Sequence, residues 1–465
     1  MSEQTGAPVV VIGAGPVGLA AAAHLAERGV DFAVLESGPS VAAAIEEWRH
    51  VKLFSPWRYD IDSAARRLLE RSGWIEPDLA QLPTGGDLID SYLAPLTKTP
   101  ELNDLIRYNA QVTAVTRVGF DRIRTAGREA APFLIRLADG SELLASAVID
   151  AAGTWRKPNV LGGSGIPARG EVEAGEGIAH ALPDVLGVDR DRFAGRRTAV
   201  VGAGHSAATT LLDLGQLADE VPGTQVVWVV RGTDQARTYG GGDADELPAR
   251  GALGSRLKKL VQSGRVELVS SFRIESISRA DGRVQLTSGE REVFADTVVN
   301  STGFRPDHDM VSELRLDLDP IMGSTRALAP LIDPNKHSCG TVPPHGVDEL
   351  AHPEPGYYAI GAKSYGRAPT FLLATGYEQA RSVVAALAGD WESARDVQLD
   401  LPETGVCSSN LAYGGTSDEA GGCCGPAPQA LELSTPTSRG LATGITGGLL
   451  TVIENDTTKS SGCCG

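Results

Sequence analysis

The stretch from Val9 to Glu36 constrains the fold more than any other part of the chain. An apolar run, Val9 to Ile12, leads directly into the glycine-rich segment Gly13-Ala14-Gly15-Pro16-Val17-Gly18. An alanine-rich helical pattern follows, and a second apolar run, Phe32 to Leu35, ends at the acidic residue Glu36. The order of strand, glycine-rich turn, helix, strand and acid predicts a βαβ unit that binds a dinucleotide.

Each glycine of this turn has its own predicted task. Gly13 allows the tight turn, Gly15 lets backbone N–H groups approach a pyrophosphate, and Gly18 lets the helix and the strand pack closely. The N-terminus of the helix offers unpaired N–H donors to the phosphate. The Glu36 carboxylate accepts from both hydroxyls of a ribose, which favours a nucleotide with a free 2′-hydroxyl. The predicted cofactor contacts are Gly13, Gly15, Pro16, Val17, Gly18 and Glu36.

The same pattern recurs in the middle of the chain. A predicted strand, Arg197 to Val201, leads into Gly202-Ala203-Gly204-His205-Ser206-Ala207, then a helix and a second strand that is followed by Arg231. An arginine at this place pairs with a 2′-phosphate, which a carboxylate would repel. The first unit could bind NAD or FAD, and its N-terminal position together with a second such unit favours FAD. Arg231 favours NADPH in the second unit, with a solvated surface charge as the alternative. The predicted NADPH contacts are Gly202, Gly204, His205, Ser206 and Arg231.

Each unit is followed by a predicted hairpin and a glycine-containing link. The first hairpin pairs Phe133 to Leu137 with Leu143 to Ile149 and ends in Ala151-Ala152-Gly153-Thr154. The second hairpin, around Ser288-Gly289, ends in Ser301-Thr302-Gly303. The equivalent order in two parts of the chain predicts a duplicated dinucleotide-binding architecture.

A strand and a helix return late in the chain, within Gly356 to Gly361 and Phe371 to Ala388. The late return predicts that the second unit is inserted into the first. The predicted fold class is α/β, with two Rossmann-like dinucleotide-binding domains, for FAD and NADPH, and a disordered C-terminal tail. The expected segments are the first part of the FAD domain, the NADPH domain, the return of the FAD domain and the tail, at 1–160, 161–310, 311–395 and 396–465.

The composition excludes two classes of partner. The net charge is −17 and no run of lysine or arginine occurs, which argues against a nucleic acid. No run of roughly 18 or more apolar residues occurs, so no membrane span is predicted. The N-terminal residues lack the charged region and the short apolar stretch of a signal peptide, so we expect a cytoplasmic protein.

Five of the six cysteines lie beyond residue 400. Gly, Ser, Thr and Pro dominate that part of the chain and apolar periodicity fades, which predicts a disordered tail. Two Gly-Cys-Cys-Gly units repeat there, and soft thiolates bind soft centres such as trivalent arsenic. The alternative is a degenerate tail with incidental cysteines. The predicted arsenite ligands are Cys423, Cys424, Cys463 and Cys464.

The two glycine-rich turns, the Ala-Gly-Thr link before Pro158 and Ser301-Thr302-Gly303-Phe304-Arg305-Pro306 resemble the class B, FAD- and NADPH-dependent flavoprotein monooxygenases. Four segments are similar to the narrower ArsO-type flavin-binding monooxygenases of arsenic-resistance operons. These segments are Trp48 to Asp60, Leu82 to Gly85, His337 to Thr341 and Lys363 to Pro369. The resemblance covers roughly residues 9–390. It implies FAD and NADPH as cofactors, O₂ as co-substrate, a small-molecule substrate and a link to trivalent arsenic.

The remaining site residues belong to the cleft that this resemblance implies. Arg58 beside Trp57, and Arg367 near Tyr365, are candidates for lining the reaction cleft, and each has a structural alternative. Cys339 lies near His337, an arrangement that favours a thiolate, although a small buried residue is equally consistent with the pattern. Further cofactor contacts are expected from Trp48, Val112, Ala152, Gly153 and Gly361.

One motif departs from the monooxygenase pattern. Aligned on His180, the flavin monooxygenase fingerprint would need Phe, Gly and an aromatic residue where the chain has Ala174, Glu176 and Asp184. Three hypotheses therefore stay open. They are a monooxygenase linked to arsenic detoxification, an NADPH-dependent reductase of a thiol-bound metalloid or disulfide that uses the C-terminal cysteine pairs, and an arsenite-binding flavoprotein without turnover.

Overall fold

The structure, a computed structural model, describes residues 6–233, 235–240, 248–337 and 342–399. Its strands are β1 (Val9–Ile12), β2 (Phe32–Leu35), β3 (Ile106–Arg107), β4 (Val112–Arg117), β5 (Phe133–Leu137), β6 (Glu142–Ala145), β7 (Ala147–Asp150), β8 (Ile178–Ala179), β9 (Arg197–Val201), β10 (Gln225–Val229), β11 (Glu267–Val269), β12 (Ser276–Ala280), β13 (Arg283–Ser288), β14 (Arg291–Ala295), β15 (Thr297–Asn300) and β16 (Tyr357–Ala359).

The α-helices are α1 (Pro16–Glu27), α2 (Ala43–Glu46), α3 (Ser63–Arg71), α4 (Gly85–Leu88), α5 (Ala94–Thr97), α6 (Glu171–Ala174), α7 (Arg190–Phe193), α8 (His205–Glu220), α9 (Ala236–Tyr239), α10 (Pro248–Gln262), α11 (Ala329–Ile332), α12 (Val347–Leu350), α13 (Leu373–Leu387) and α14 (Trp391–Arg395). A π-helical turn, Ile89–Leu93, joins α4 to α5, and 3₁₀ turns lie at Trp57–Tyr59, Arg128–Ala130, Gly175–Gly177, Asp309–Val311 and Gly361–Lys363.

The first glycine-rich unit lies at the centre of a five-stranded parallel sheet with the order β16-β7-β1-β2-β3. All four residues of β1 are buried, since α1 and α13 cover one face of the sheet and the antiparallel sheet that contains β5 covers the other. A continuous apolar run is typical of such a doubly covered parallel strand. The predicted βαβ unit is confirmed.

The second glycine-rich unit forms a second five-stranded parallel sheet, with the order β11-β10-β9-β15-β8. Trp228 of β10 is fully buried between this sheet and α8. The two halves therefore repeat one architecture, as the sequence predicts.

Each half carries a three-stranded antiparallel sheet, β4-β5-β6 in the first and β12-β13-β14 in the second. The prediction of a single hairpin strand from Leu143 to Ile149 is wrong. The run divides at Ser146, where β6 ends its pairing with β5 and β7 joins the parallel sheet beside β1. All four residues of β7 are buried, which suits a strand covered on both faces.

The chain passes between the two sheets twice, and the two crossings lie side by side. The Asn159 N–H donates to the Gly303 carbonyl at 2.8 Å, and the Arg305 N–H donates to the Lys157 carbonyl at 3.0 Å. After the second crossing the chain returns to the first sheet, where β16 pairs with β7. The predicted insertion is confirmed, whereas the exact domain limits stay predictions.

Within the described ranges, no helix is both long enough and apolar enough to span a membrane. The part of the predicted tail from residue 400 onward lies outside the described residues.

Candidate functional site

Parallel strands β1, β7 and β16 bring their carboxyl ends to one edge of the first sheet. A cavity of about 320 Å³, here named cavity A, opens there among Gly13, Glu36, Ala152 and Gly361. Most of the predicted FAD contacts lie in its wall. These are Gly13, Gly15, Pro16, Val17, Glu36, Trp48, Val112, Ala152, Gly153 and Gly361.

The three glycines of the first turn differ in what surrounds them. Gly13 has a φ of +100°, and a Cβ there would lie 2.7 Å from the Ala151 carbonyl oxygen. A Cβ on Gly15 would meet no described atom within 4 Å, because this residue faces the open side of cavity A. A Cβ on Gly18 would overlap the Gly13 carbonyl. Gly18 therefore serves helix packing and does not line the cavity.

Two helices begin at cavity A. Gly15 and Pro16, at the N-terminus of α1, line the cavity, as do Phe371 and Leu373, at the N-terminus of α13. Neither helix has a side-chain cap or an acidic residue in its first turn. Their first N–H groups and the positive ends of their dipoles can therefore stabilise negative charge in the cavity.

Glu36 is buried at the end of β2 and its carboxylate is held in place by backbone donors. One oxygen accepts from the Ala14 N–H at 2.8 Å, and the other accepts from the Gly38 N–H at 2.8 Å. The oxygen bound by Gly38 also accepts from the Ser37 hydroxyl at 3.3 Å, whereas the oxygen bound by Ala14 keeps a lone pair for a further donor. Hydroxyl groups of a ribose are donors that this fixed acceptor suits.

A second cavity, of about 470 Å³ and here named cavity B, lies between the two halves of the described fold. Leu53, Phe54 and Leu82 line it from the first half, and His205, Ser206 and residues of α10 line it from the second. The Phe54 and His205 rings lie 5.1 Å apart, centroid to centroid, and close one side of the cavity. The wall is largely apolar, with Lys52 and Arg256 as its charged members.

Cavities A and B share two aromatic residues, Trp48 and Trp155. The two indole rings lie 6.3 Å apart, and the indole N–H of Trp155 donates to the Glu47 carboxylate at 2.8 Å. The centroid of the Trp155 ring lies 4.8 Å from that of Phe304 and 4.4 Å from that of His180. A molecule in cavity B therefore lies directly beside whatever occupies cavity A.

The second glycine-rich turn has the same form as the first. Gly202 has a φ of +139° and a Cβ there would overlap the Ser301 carbonyl, whereas a Cβ on Gly204 would meet no atom of the described residues within 4 Å. The helix α8 begins at His205 without a side-chain cap. Arg231 is exposed just beyond β10, at the same edge of the second sheet. The predicted NADPH contacts therefore gather at one edge.

Asp60 is an acid that the sequence pattern did not single out. It is fully buried, and its Oδ1 accepts from the Ser55 hydroxyl at 2.8 Å. Its Oδ2 has no hydrogen-bond partner among the described residues. Burial raises the pKa of Asp60 to about 7, although the Ser55 hydrogen bond opposes the shift.

The predicted catalytic residues are not brought together. Arg58 is exposed, with its guanidinium 5.0 Å from the ring centre of Tyr59, and it lines neither cavity. Arg367 is also exposed and lines neither cavity. Cys339 lies outside the described residues, as do the predicted arsenite ligands Cys423, Cys424, Cys463 and Cys464.

Sequence reasoning missed Trp155 and Phe304 as wall residues of cavity A. A signal was present, because an aromatic residue directly follows each of the two equivalent links, Ala151 to Thr154 and Ser301 to Gly303. Among the described residues, no cluster of three or more His, Cys, Asp or Glu side chains could hold a metal ion.

The chain was compared with known proteins. A family model described as pyridine nucleotide-disulphide oxidoreductase matches residues 10–338. The indole-3-pyruvate monooxygenase YUCCA1 of Oryza sativa subsp. japonica is 30% identical over 207 residues, which is 44% of this chain and 44% of that protein's length.

Two solved structures share the fold. The bacillithiol disulfide reductase of Bacillus cereus matches with a TM-score of 0.61 and 18% identity, covering 82% of this chain and 99% of that chain. The ornithine N-hydroxylase of Kutzneria sp. 744, solved with reduced FAD, NADP⁺ and L-ornithine, matches with a TM-score of 0.55 and 17% identity. That match covers 83% of this chain and 99% of the hydroxylase chain.

The segment that the family model matches contains both glycine-rich turns, at Gly13 to Gly18 and Gly202 to Ala207, and most of both parallel sheets. This chain belongs to the pyridine nucleotide-disulphide oxidoreductase family.

Proposed function

We propose that this protein is an NADPH-dependent FAD monooxygenase that oxygenates a small molecule in cavity B, with O₂ as co-substrate. The observation that carries the proposal is that cavities A and B share Trp48 and Trp155. The shared wall sets a substrate chamber directly against a cofactor chamber, as transfer between cofactor and substrate requires.

The residues of cavity A fit FAD. The open side of Gly15 leaves room for a pyrophosphate, the uncapped start of α1 supplies its donors, and buried Glu36 supplies acceptors for a ribose. When bound, FAD supplies hydride acceptance from NADPH and, in its reduced form, reactivity toward O₂. The start of α13 would stabilise negative charge on the reduced cofactor.

The second glycine-rich turn and Arg231 fit NADPH. The uncapped start of α8 offers N–H donors to the pyrophosphate, and the exposed guanidinium of Arg231 suits a 2′-phosphate. His205 and Ser206 lie both at this turn and in the wall of cavity B. A nucleotide held there reaches the chamber beside the flavin.

The apolar part of the wall of cavity B suits an apolar group beside the cofactor. Trp48, Leu53, Phe54 and Trp155 present aromatic and aliphatic surface toward this chamber. Such surface disfavours water near the reacting atoms, which would limit side reactions when the cofactor is bound. The fold of the Kutzneria N-hydroxylase is similar, and the rice relative's name also describes a monooxygenase.

The narrower part of the proposal is a trivalent arsenical as the substrate, which makes the protein part of arsenic detoxification. It rests on the sequence resemblance of four segments to ArsO-type flavoproteins, among them Lys363 to Pro369. A cytoplasmic location belongs to the same proposal.

The test is oxygen balance in the full-length protein loaded with FAD. Arsenite, methylarsenite and phenylarsenite are each mixed with NADPH and ¹⁸O₂, and NADPH loss, H₂O₂ and labelled product are measured. One NADPH, one H⁺ and one O₂ are expected to be consumed for each molecule of oxygenated product. One NADP⁺ and one water are formed at the same time. Flavin reduction by NADPH with no labelled product from any arsenical would overturn the arsenic assignment.

A matched pair of variants tests the role of cavity B. Ala252→Trp adds a ring to the wall of cavity B, whereas Lys258→Trp adds one on the exposed surface of the same helix, α10. Ala252→Trp is expected to keep FAD and to divert NADPH oxidation from product to H₂O₂. Lys258→Trp is expected to match the wild-type protein. Equal coupling in both variants would place the substrate elsewhere.

The reductase hypothesis makes a different prediction in the same assay. It requires the cysteine pairs, all of which lie outside the described residues. Replacement of Cys463 and Cys464 by serine would then abolish turnover while NADPH still reduces the flavin. The monooxygenase proposal expects unchanged oxygen coupling in that variant. Tight arsenite binding with negligible flavin reduction would instead favour an arsenite-binding protein.

A further inference from the structure

A buried ion pair lies directly behind the wall of cavity A. Asp150, the last residue of β7, is fully buried, and Lys363 is only 2% exposed. The Lys363 Nζ donates to the Asp150 Oδ2 at 2.5 Å. The hydroxyl of Tyr357, on the neighbouring strand β16, donates to the same oxygen at 2.9 Å. Neither charged side chain lines the cavity.

The ion pair joins two turns that follow the neighbouring strands β7 and β16. These strands pair as far as Asp150 and Ala359, and the Ile360 N–H donates to the Asp150 carbonyl at 3.0 Å. Beyond that bond, the Asp150 Oδ1 accepts from the Ala152 N–H at 3.2 Å, and Lys363 ends the 3₁₀ turn whose Gly361 and Ala362 line the cavity. The ion pair therefore adds a side-chain contact between the two turns beyond the last backbone bond.

The second turn is fixed from its other side as well. The Gln379 side chain, on α13, accepts from the Gly361 N–H at 2.8 Å and donates to the Ser364 hydroxyl at 3.0 Å. Ser364 in turn donates to the Gly361 carbonyl at 2.8 Å. Neutral hydrogen bonds therefore already stabilise this turn, and Lys363 is its one charged side chain. The presence of a buried charge at Lys363 needs a separate explanation.

Stability alone does not explain a buried lysine at this place. Removing two charges from water costs several kcal/mol per ion, and their attraction in the interior often only balances that cost. Apolar side chains of similar volume are commonly as stable as a buried ion pair. What the pair adds is a directional contact between two turns. Burial also raises the pKa of Tyr357 well above its usual value, so this hydroxyl stays a donor to Asp150.

We propose that Lys363 and Asp150 are positioning residues for the flavin, which set the spacing between the 151–153 and 361–362 turns of cavity A. The inference rests on the proposed function in that it takes FAD as the occupant of this cavity. The Gly361-Ala362 turn has no carboxylate of its own. Lys363 pairs with the carboxylate of Asp150, at the end of the neighbouring strand.

The test compares three variants of the full-length protein. Lys363→Met removes one charge, Asp150→Asn/Lys363→Met removes both, and Lys157→Met removes a half-buried lysine that pairs with Asp307 at 3.1 Å. The FAD dissociation constant of the flavin-free protein, the midpoint potential and visible spectrum of the bound flavin, and the thermal unfolding midpoint are measured for each.

The double variant decides between positioning and charge balance. It leaves no unpaired buried charge, so its unfolding midpoint is expected to return to that of the wild-type protein. Its FAD dissociation constant is expected to remain raised about tenfold or more, with a shifted midpoint potential, because the side-chain contact between the turns is still missing. Lys157→Met is expected to change none of these quantities.

Wild-type FAD affinity and potential in the stable double variant would overturn the proposal, since charge balance alone would then suffice. The same conclusion follows if Lys363→Met loses stability but keeps both FAD properties. A wild-type protein that binds no FAD would instead overturn the proposed function itself. If Lys363→Met does not fold, the double variant still gives the deciding measurement.

Discussion

Glu36 accepts the Ala14 N–H at 2.8 Å, so the acid that ends the second strand is fixed to the glycine-rich turn that ends the first. The two elements of the fingerprint, far apart in sequence, thus form one rigid surface. A carboxylate that is already oriented loses little conformational entropy when a ribose binds. Within this turn, Gly13 is required for the backbone conformation, whereas Gly15 leaves room for a ligand.

Gly13 and Gly15 provide a matched pair of substitutions. Gly13→Ala is expected to lower the free energy of unfolding by about 2 kcal/mol or more, because φ is +100° and the new Cβ would press on the Ala151 carbonyl. Gly15→Ala is expected to change it by less than about 0.5 kcal/mol, since Gly15 has a φ of −81° and open space around it.

FAD binding is expected to be weakened by the Gly15 substitution, which leaves stability almost unchanged. Gly15→Ala is expected to weaken FAD about tenfold or more, because the methyl group occupies space that the pyrophosphate needs. Urea unfolding of the flavin-free proteins and FAD titration measure both quantities. Normal FAD affinity in Gly15→Ala would mean that the pyrophosphate lies elsewhere.

Arg231 is expected to decide the choice between NADPH and NADH. Its guanidinium is exposed at the end of β10, and a charge-assisted hydrogen bond to phosphate contributes roughly 1.5–3 kcal/mol. Arg231→Gln should therefore raise KM for NADPH about 10- to 100-fold and leave KM for NADH nearly unchanged. Arg283→Gln, an exposed arginine at the start of β13, is the control. Equal losses for both nucleotides would assign Arg231 a structural role.

The sequence predicted the duplicated fold because its signals are local. Glycines 13 and 202 need unusual backbone angles, and the apolar runs that precede them form buried parallel strands. The division of the run from Leu143 to Ile149 was not predictable, since both strands are apolar and only the register with β1 and β5 separates them.

The site was predicted less completely than the fold. Its cofactor contacts follow from the glycine-rich turns, but the shared wall of Trp48 and Trp155 depends on how the two halves pack. Arg58 and Arg367 were selected for their aromatic neighbours in sequence, yet both are exposed and line neither cavity. Aromatic neighbours in sequence do not predict whether a loop side chain points into a cavity or into solvent.

Asp60 is expected to make stability depend on pH. Its pKa is raised to about 7 in the folded protein, from about 3.8 in the unfolded chain, so the folded state binds more protons between these values. Its contribution to stability is complete below about pH 4 and is lost as the pH rises through 7. Asp60→Asn should therefore be more stable than the wild-type protein at pH 8, by on the order of 4 kcal/mol.

The measurement is urea unfolding of both proteins between pH 4 and 8. Partly buried histidines such as His352, whose pKa is lowered to about 4 by desolvation, change stability in the opposite direction over this window. The difference between Asp60→Asn and the wild-type protein removes their contribution. Glu290→Gln, on the exposed surface, is the control. A difference that does not change with pH would show that Asp60 titrates normally.

Glu354 is expected to be far more important for stability than an exposed acid. It is 1% exposed and accepts from Arg117 at 2.8 Å and from Arg128 at 2.9 Å, both of which are also buried. Glu354→Gln leaves two buried guanidinium groups without a counter-charge and should lower the free energy of unfolding by about 3–5 kcal/mol. Glu142→Gln, whose Arg136 partner is 58% exposed, should cost about 0–1 kcal/mol.

The large effect has a specific structural cause. Arg117 ends β4 and Arg128 lies in a 3₁₀ turn, whereas Glu354 lies just before β16 in the returning segment. The cluster therefore attaches that segment to the antiparallel sheet of the first half. Because β16 ends beside Gly361 in cavity A, Glu354→Gln should also weaken FAD binding, whereas Glu142→Gln should not. Similar unfolding energies for the two variants would show that solvent enters the cluster and screens its charges.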